Sequence, residues 1–97
     1  MDIERITRME ACRDECTSAV GDLSKQLDRI DSLREKMGEL FLYYGSEDWY
    51  EDREKELPES VKAGVLSEDA VYDLITEVRD ASFRMLELAA DILKNRI

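Results

Sequence analysis

Residues 6–44, ITRMEACRDECTSAVGDLSKQLDRIDSLREKMGELFLYY, carry the most regular apolar pattern of the chain. One row of side chains recurs in it at a strict spacing of seven: Met9, Cys16, Leu23, Ile30, Met37 and Tyr44. A second row fills the companion position of the same repeat: Ile6, Val20, Leu27 and Phe41. Two apolar rows at this spacing form one face of an amphipathic helix. We therefore expect a helix over about residues 2–44, supercoiled in the left-handed sense against whatever covers that face.

A short helix and a second long helix are expected in the rest of the chain. The short helix covers about residues 47–56, because Gly45 can adopt the left-handed conformation that ends a helix and Ser46 can cap the next one. The last helix covers about residues 68–95, after a cap at Ser67. Its apolar row again recurs at seven, at Val71, Val78, Met85 and Ile92.

Together these helices predict an all-α fold in a single domain, residues 1–97. The architecture that we expect is a long antiparallel helical hairpin with the short helix in the connection. Because the first helix is longer than the last, its N-terminal end would stay uncovered in the hairpin. Either a homodimer that forms a four-helix bundle, or a bend near Gly21 that makes the short helix a third member, would cover it; the homodimer is preferred.

The charge balance of the chain limits the classes of molecule that it can bind. The chain has 24 acidic and 14 basic residues, a net charge of −10, and residues 46–80 alone carry −8. An acidic surface repels nucleic acids and anionic lipids, so we expect neither direct nucleic-acid binding nor membrane binding. No apolar run is long enough to span a bilayer and the N-terminal residues lack a signal-peptide pattern, which favours a cytoplasmic location.

The two cysteines, Cys12 and Cys16, lie four residues apart on the first predicted helix. Without any histidine, two thiols are too few for a structural zinc site, and a disulfide at this spacing would distort the helix. We expect both thiols to be reduced and buried on the apolar face, since free cysteine packs as a small hydrophobic residue.

Two stretches resemble a known family: YYGSEDW at residues 43–49 and GVLSEDAVYDL at residues 64–74. The pattern is similar to that of small bacterial proteins grouped as domain of unknown function 4298, and the likeness extends over nearly the whole chain. The resemblance implies a bacterial or phage origin and a helical fold. It implies no activity and no catalytic residue.

Catalytic chemistry is not expected. The chain has no histidine for a nucleophile–base pair and no glycine-rich phosphate loop, so we expect no catalytic, cofactor-binding or metal-binding residue. One spacing is similar to that of the magnesium site in all-helical nucleotide pyrophosphohydrolases, and it involves Glu51, Glu54, Glu77 and Asp80. Helical phase puts Asp80 opposite the apolar row of the last helix, however, and metal ligands in a helical bundle should face inward.

The residues that suggest a binding function lie where the first predicted helix ends. Aromatic residues meet the most acidic part of the chain in a region that we call the aromatic corner, residues 43–52 together with Tyr72. The leading interpretation is a non-enzymatic protein–protein interaction module whose contact residues are Tyr43, Tyr44, Glu47, Asp48, Trp49, Tyr50, Glu51, Asp52 and Tyr72. Two alternatives remain: the aromatic side chains plug the end of the hairpin, or the acidic surface is a decoy for a basic, nucleic-acid-binding bacterial protein.

Overall fold

The computed structural model describes residues 2–95 and 97, and the regular structure of these residues is entirely helical. Four α-helices are present, α1 (Ile3–Ser32), α2 (Arg34–Tyr43), α3 (Glu47–Arg53) and α4 (Ala70–Asn95), with one 3₁₀ turn at Gly64–Leu66. The predicted all-α fold is confirmed, and the order of a long helix, a short helix and a second long helix fits a helical hairpin. Dimerisation stays a prediction. By its internal contacts the chain divides into two compact units, Met1–Met37 and Gly38–Ile97.

The first unit is essentially α1. Asp2 caps the helix by accepting a hydrogen bond from the Arg5 backbone N–H at 3.0 Å. The helix continues without interruption through Gly21 to Ser32. None of the thirty residues of α1 is buried.

Both cysteines are free and exposed, which corrects the prediction of buried thiols. The physical reason is that α1 by itself has no second surface against which its apolar face is packed. A single helix shields each of its side chains only with neighbours from its own turns.

The predicted uninterrupted first helix differs from the structure at one residue, Leu33, which separates α1 from α2. The Leu33 backbone N–H is shared between the carbonyl oxygens of Arg29 at 3.2 Å and Ile30 at 3.1 Å. The Ser32 hydroxyl also donates to the Arg29 carbonyl, at 2.7 Å. A serine hydroxyl that competes for a backbone carbonyl weakens the regular ladder, which explains why the interruption falls here.

In the second unit, the predicted turn chemistry is present. Gly45 has φ +80°, the left-handed conformation that ends α2. The Ser46 side chain then accepts from the Trp49 backbone N–H at 3.2 Å and caps α3. Before α4, the Ser67 hydroxyl accepts from the Ala70 backbone N–H at 3.0 Å.

The core of this second unit is small. Only Trp49 and Val71 are buried among the described residues, each 3% exposed. Further apolar side chains of α2 and α4 are half-buried: Leu40, Phe41, Leu74, Ile75 and Val78. No helix in residues 2–95 combines the length and apolar character needed to cross a membrane.

Candidate functional site

Trp49 is the centre of the aromatic corner and lies inside the fold rather than on its surface. Its indole Nε1–H donates to the Val65 carbonyl oxygen at 2.9 Å, which ties α3 to the 3₁₀ turn. A buried indole normally needs such a partner, because an unpaired N–H in an apolar site carries a desolvation cost. Trp49 therefore joins two segments that are 16 residues apart in sequence.

Tyr44 joins a second pair of distant segments. Its hydroxyl donates to the Glu68 carbonyl oxygen at 2.6 Å, just before α4 begins. The ring lies edge-on to Trp49, with the centroids 5.0 Å apart and the planes at 65°. This is a favourable geometry for two aromatic rings. The end of α2 is thus fastened to the start of α4.

Arg53 completes this cluster, and our interpretation of the sequence missed it. Its guanidinium carbon lies 4.5 Å from the centroid of the Trp49 ring, and its Nη2 lies 3.5 Å from Glu68 Oε1. A cation over an indole face is attracted by the negative face of the ring. The available signal was the spacing: residues four apart on a helix lie on the same face, and Arg53 follows Trp49 by four.

Tyr43, Asp52 and Lys55 form a separate polar chain. The Tyr43 hydroxyl donates to Asp52 Oδ2 at 2.6 Å, and Lys55 Nζ donates to Asp52 Oδ1 at 3.1 Å. The hydrogen bond to Asp52 raises the pKa of Tyr43 to about 12. In return, the bonds from Tyr43 and then from Lys55 lower the pKa of the Asp52 carboxyl. The carboxylate also raises the pKa of Lys55. Each group stabilises the form of its neighbour that is present at neutral pH.

The remaining candidate residues are exposed. Tyr50 is 58% exposed, although its ring packs edge-on against Trp49 with the centroids 4.9 Å apart. Tyr72, near the start of α4, is 59% exposed. Three acidic candidates on α3 also face solvent: Glu47, Asp48 and Glu51. These side chains are the ones that a partner molecule can reach.

An open groove of about 300 Å³ lies beside the buried tryptophan. Its walls come from Tyr44, Trp49, Tyr50, Arg53 and Glu68, together with Gly45. The groove therefore has aromatic walls and one ion pair.

The carboxylates of the possible magnesium pattern do not form a site. In residues 2–95 and 97, no three or more histidine, cysteine, aspartate or glutamate side chains lie close enough together to hold a metal ion. All four residues of the pattern, Glu51, Glu54, Glu77 and Asp80, are exposed.

Comparison with known protein families agrees with the resemblance seen in the sequence. Residues 6–88 match the family described as domain of unknown function (DUF4298). The chain belongs to this family. The matched range includes α2, α3 and the whole aromatic corner, as well as most of α1 and α4. No curated protein matches the chain.

The structure divides the predicted contact residues of this family member into two groups. Tyr43, Tyr44, Trp49 and Asp52 are buried or half-buried and hold the corner together. The others lie on its exterior: Glu47, Asp48, Tyr50, Glu51 and Tyr72. The interpretation of the aromatic side chains as a plug fits the first group, and only the second group presents a free surface.

Proposed function

We propose that this chain is a non-enzymatic helical protein–protein interaction module that binds a basic protein through the exterior of the aromatic corner. The observation that supports it is an exposed tyrosine, Tyr50, on a helix whose position is fixed by hydrogen bonds of neighbouring aromatic residues. Tyrosine is a frequent interface anchor, because its ring buries a large area and has few rotatable bonds. The backbone around Tyr50 is held by the hydrogen bonds of Trp49 and Tyr44, so little ordering of the backbone is needed on binding.

The surface around Tyr50 suits a partner that is basic. In the groove itself, the Trp49 ring and the Glu68 carboxylate are already in contact with Arg53. Three acidic side chains on the same helix as Tyr50 face solvent and favour the approach of a positive surface: Glu47, Asp48 and Glu51. A lysine or arginine of the partner is therefore proposed to contact these exposed carboxylates, next to Tyr50.

The proposed location is the bacterial cytoplasm. Both cysteine thiols, Cys12 and Cys16, are exposed, and a reducing compartment would keep them from pairing with thiols of other chains. The bacterial origin rests on the family resemblance.

The test uses three forms of the full chain immobilised for capture from a bacterial lysate: wild type, the double variant Tyr50→Ala with Tyr72→Ala, and Phe83→Ala. Phe83 is a matched control, since it is also 59% exposed but lies three turns beyond Tyr72 on α4. We expect wild type and the control to capture the same basic protein and the double variant to lose it. Circular dichroism checks that all three remain helical. Equal capture by the double variant would contradict the proposal.

A second candidate function is the acidic decoy for a nucleic-acid-binding protein. The observation that favours it is the net charge of −8 on residues 46–80. Two of the four basic side chains in this range, Arg53 and Lys55, are paired with Glu68 and Asp52, so most of the acidic side chains have no basic partner within the range. A decoy complex should weaken steeply as salt increases and should be displaced by a DNA or RNA oligonucleotide. A complex that keeps its affinity at high salt and is not displaced by the oligonucleotide favours the contact through Tyr50 instead.

A further inference from the structure

One face of α1 is apolar and exposed, and its residues lie outside the aromatic corner. We call this face the seam, and within α1 it consists of Ile6, Met9, Cys16, Val20, Leu23, Leu27 and Ile30. The six large apolar side chains among them are 46–64% exposed. Because they recur at heptad spacing, they line a single face of a helix about 45 Å long.

A helix of this kind gains most of its stability from packing of its apolar face rather than from its own hydrogen bonds. Covering a large apolar side chain removes on the order of 100 Å² from water. The six large side chains of the seam therefore offer roughly 600 Å², or about 1,200 Å² over two partners, which is the lower end of the range for stable interfaces. That range is reached only if the partner covers the whole length of α1.

We propose that this partner is α1 of a second copy of the chain, lying antiparallel. Charge permits self-association here. Seven acids and five bases give α1 a net charge of only −2, whereas residues 46–80 carry −8. Two copies that meet along α1 keep their most acidic regions out of the contact, which limits the repulsion between two chains of −10 each.

The orientation follows from Arg13, which occupies the same row as Ile6, Val20 and Leu27. In a parallel pair in register, Arg13 would face Arg13 of the second copy, and like charges at such a layer are destabilising. In an antiparallel pair the two rows face each other instead. Arg13 then faces a leucine and can extend its guanidinium to solvent.

One antiparallel register uses the full length of the helix. It pairs Cys16 with Val20 of the second copy at the centre. The same register pairs Arg13 with Leu23, Met9 with Leu27, and Ile6 with Ile30. Every layer except that of Arg13 is then apolar.

The other long helix of the chain, α4, is a poorer match to the seam in length. Its first two turns belong to the small core around Val71. Beyond Val78 it extends for only about 25 Å, against about 45 Å for α1. A second copy of α1 therefore matches the seam in length, and α4 does not.

The first experiment measures the mass of the full chain in solution by light scattering. We expect twice the chain mass of 11.3 kDa for wild type. Leu27→Glu, which puts a charge in the seam, should reduce the mass to that of one chain. Ser18→Glu is the matched control on the opposite face of the same helix and should leave the dimer intact. A monomeric wild type, or a Leu27→Glu variant that remains dimeric, would overturn the proposal.

The second experiment tests the orientation by disulfide formation under mild oxidation. Cys12→Ser combined with Val20→Cys leaves thiols at positions 16 and 20, which face each other across an antiparallel pair. We expect this variant to form covalent dimers on a denaturing gel. Cys12→Ser alone leaves one thiol in the seam, four residues out of register with its copy, and should stay monomeric on the gel. Efficient cross-linking of that single-thiol variant would indicate a parallel pair and refute the antiparallel one.

Discussion

The aromatic corner and α1 use apolar side chains in opposite ways. In the corner, Trp49 and Val71 are 3% exposed and are held among segments brought together from distant parts of the sequence. In α1, thirty residues form one regular helix in which no side chain is buried. In so small a unit, a tertiary core depends on a few hydrogen bonds between distant segments. A regular helix depends on residue spacing and caps, and it has no core of its own.

The largest loss of stability is expected for Trp49→Ala, in the core of the aromatic corner. The variant loses the buried indole, its hydrogen bond to Val65 and the cation contact with Arg53. We expect the free energy of unfolding of the second unit to fall by about 3–5 kcal/mol, which a urea titration followed by circular dichroism measures. Tyr72→Ala, an aromatic residue that is 59% exposed, is the control and should change it by less than about 1 kcal/mol. Equal losses for the two variants would mean that Trp49 is not the core.

A second test compares a buried valine of the second unit with an exposed valine of α1. Val71→Ala removes a buried side chain and should cost about 2 kcal/mol at any protein concentration. Val20→Ala changes a side chain that is 64% exposed in α1. If the seam binds a second copy, the effect of Val20→Ala depends on protein concentration, because association contributes to stability by mass action. Thermal melts of both variants over a hundredfold range of concentration make the comparison, and an effect of Val20→Ala that is independent of concentration would argue against the seam.

A smaller effect is expected at the start of α3. Ser46→Ala removes the hydroxyl that accepts from the Trp49 backbone N–H and donates to the Tyr43 carbonyl oxygen. The loss of such a cap should lower the free energy of unfolding by about 1 kcal/mol. Ser18→Ala, in the middle of α1, is the control and should be neutral or slightly stabilising, since alanine is the better helix former. Chemical denaturation of both variants gives the comparison.

The smallest effect at neutral pH concerns Tyr43. In the fold its pKa is raised from 10.0 to about 12, so its contribution to stability is complete below pH 10 and is lost as the pH rises through about 12. The pKa of Asp52 is lowered, so its contribution is present above its unfolded value of 3.8 and is lost as the pH falls through its folded value. Tyr43→Phe should therefore flatten the decline in stability between pH 10 and about 12. Melts at a series of alkaline pH values test this, with Tyr50→Phe, an exposed tyrosine, as the control; identical profiles for Tyr43→Phe and wild type would contradict it.

Local signals predicted the helices well. Gly45, Ser46 and Ser67 have the stop and cap roles that their residue types suggested, because those roles depend only on neighbours a few residues away. The interruption at Leu33 was not anticipated, since a serine in a helix often leaves the backbone ladder intact.

The candidate site was harder to predict. The aromatic residues were identified, but their type does not reveal which ring is inside: Trp49 is buried and Tyr50, its neighbour, is exposed. The partners of Trp49 and Tyr44 are main-chain oxygens 16 and 24 residues away, which carry no sequence signal. The seam shows the opposite difficulty, because its spacing is plain in the sequence while the second copy proposed to cover it leaves no signal there.

Those main-chain acceptors have a consequence for how this corner can vary between family members. Every amino acid has a backbone carbonyl, so the bonds from Trp49 and Tyr44 make no demand on the side chains at positions 65 and 68. The ten residues between α3 and the 3₁₀ turn are likewise free of these two bonds and can differ in length or composition, provided that the two carbonyls return to the same places. The loop between α3 and the 3₁₀ turn can therefore change in sequence while the two aromatic donors stay the same. Two family members whose loop residues look unrelated can form the same aromatic corner.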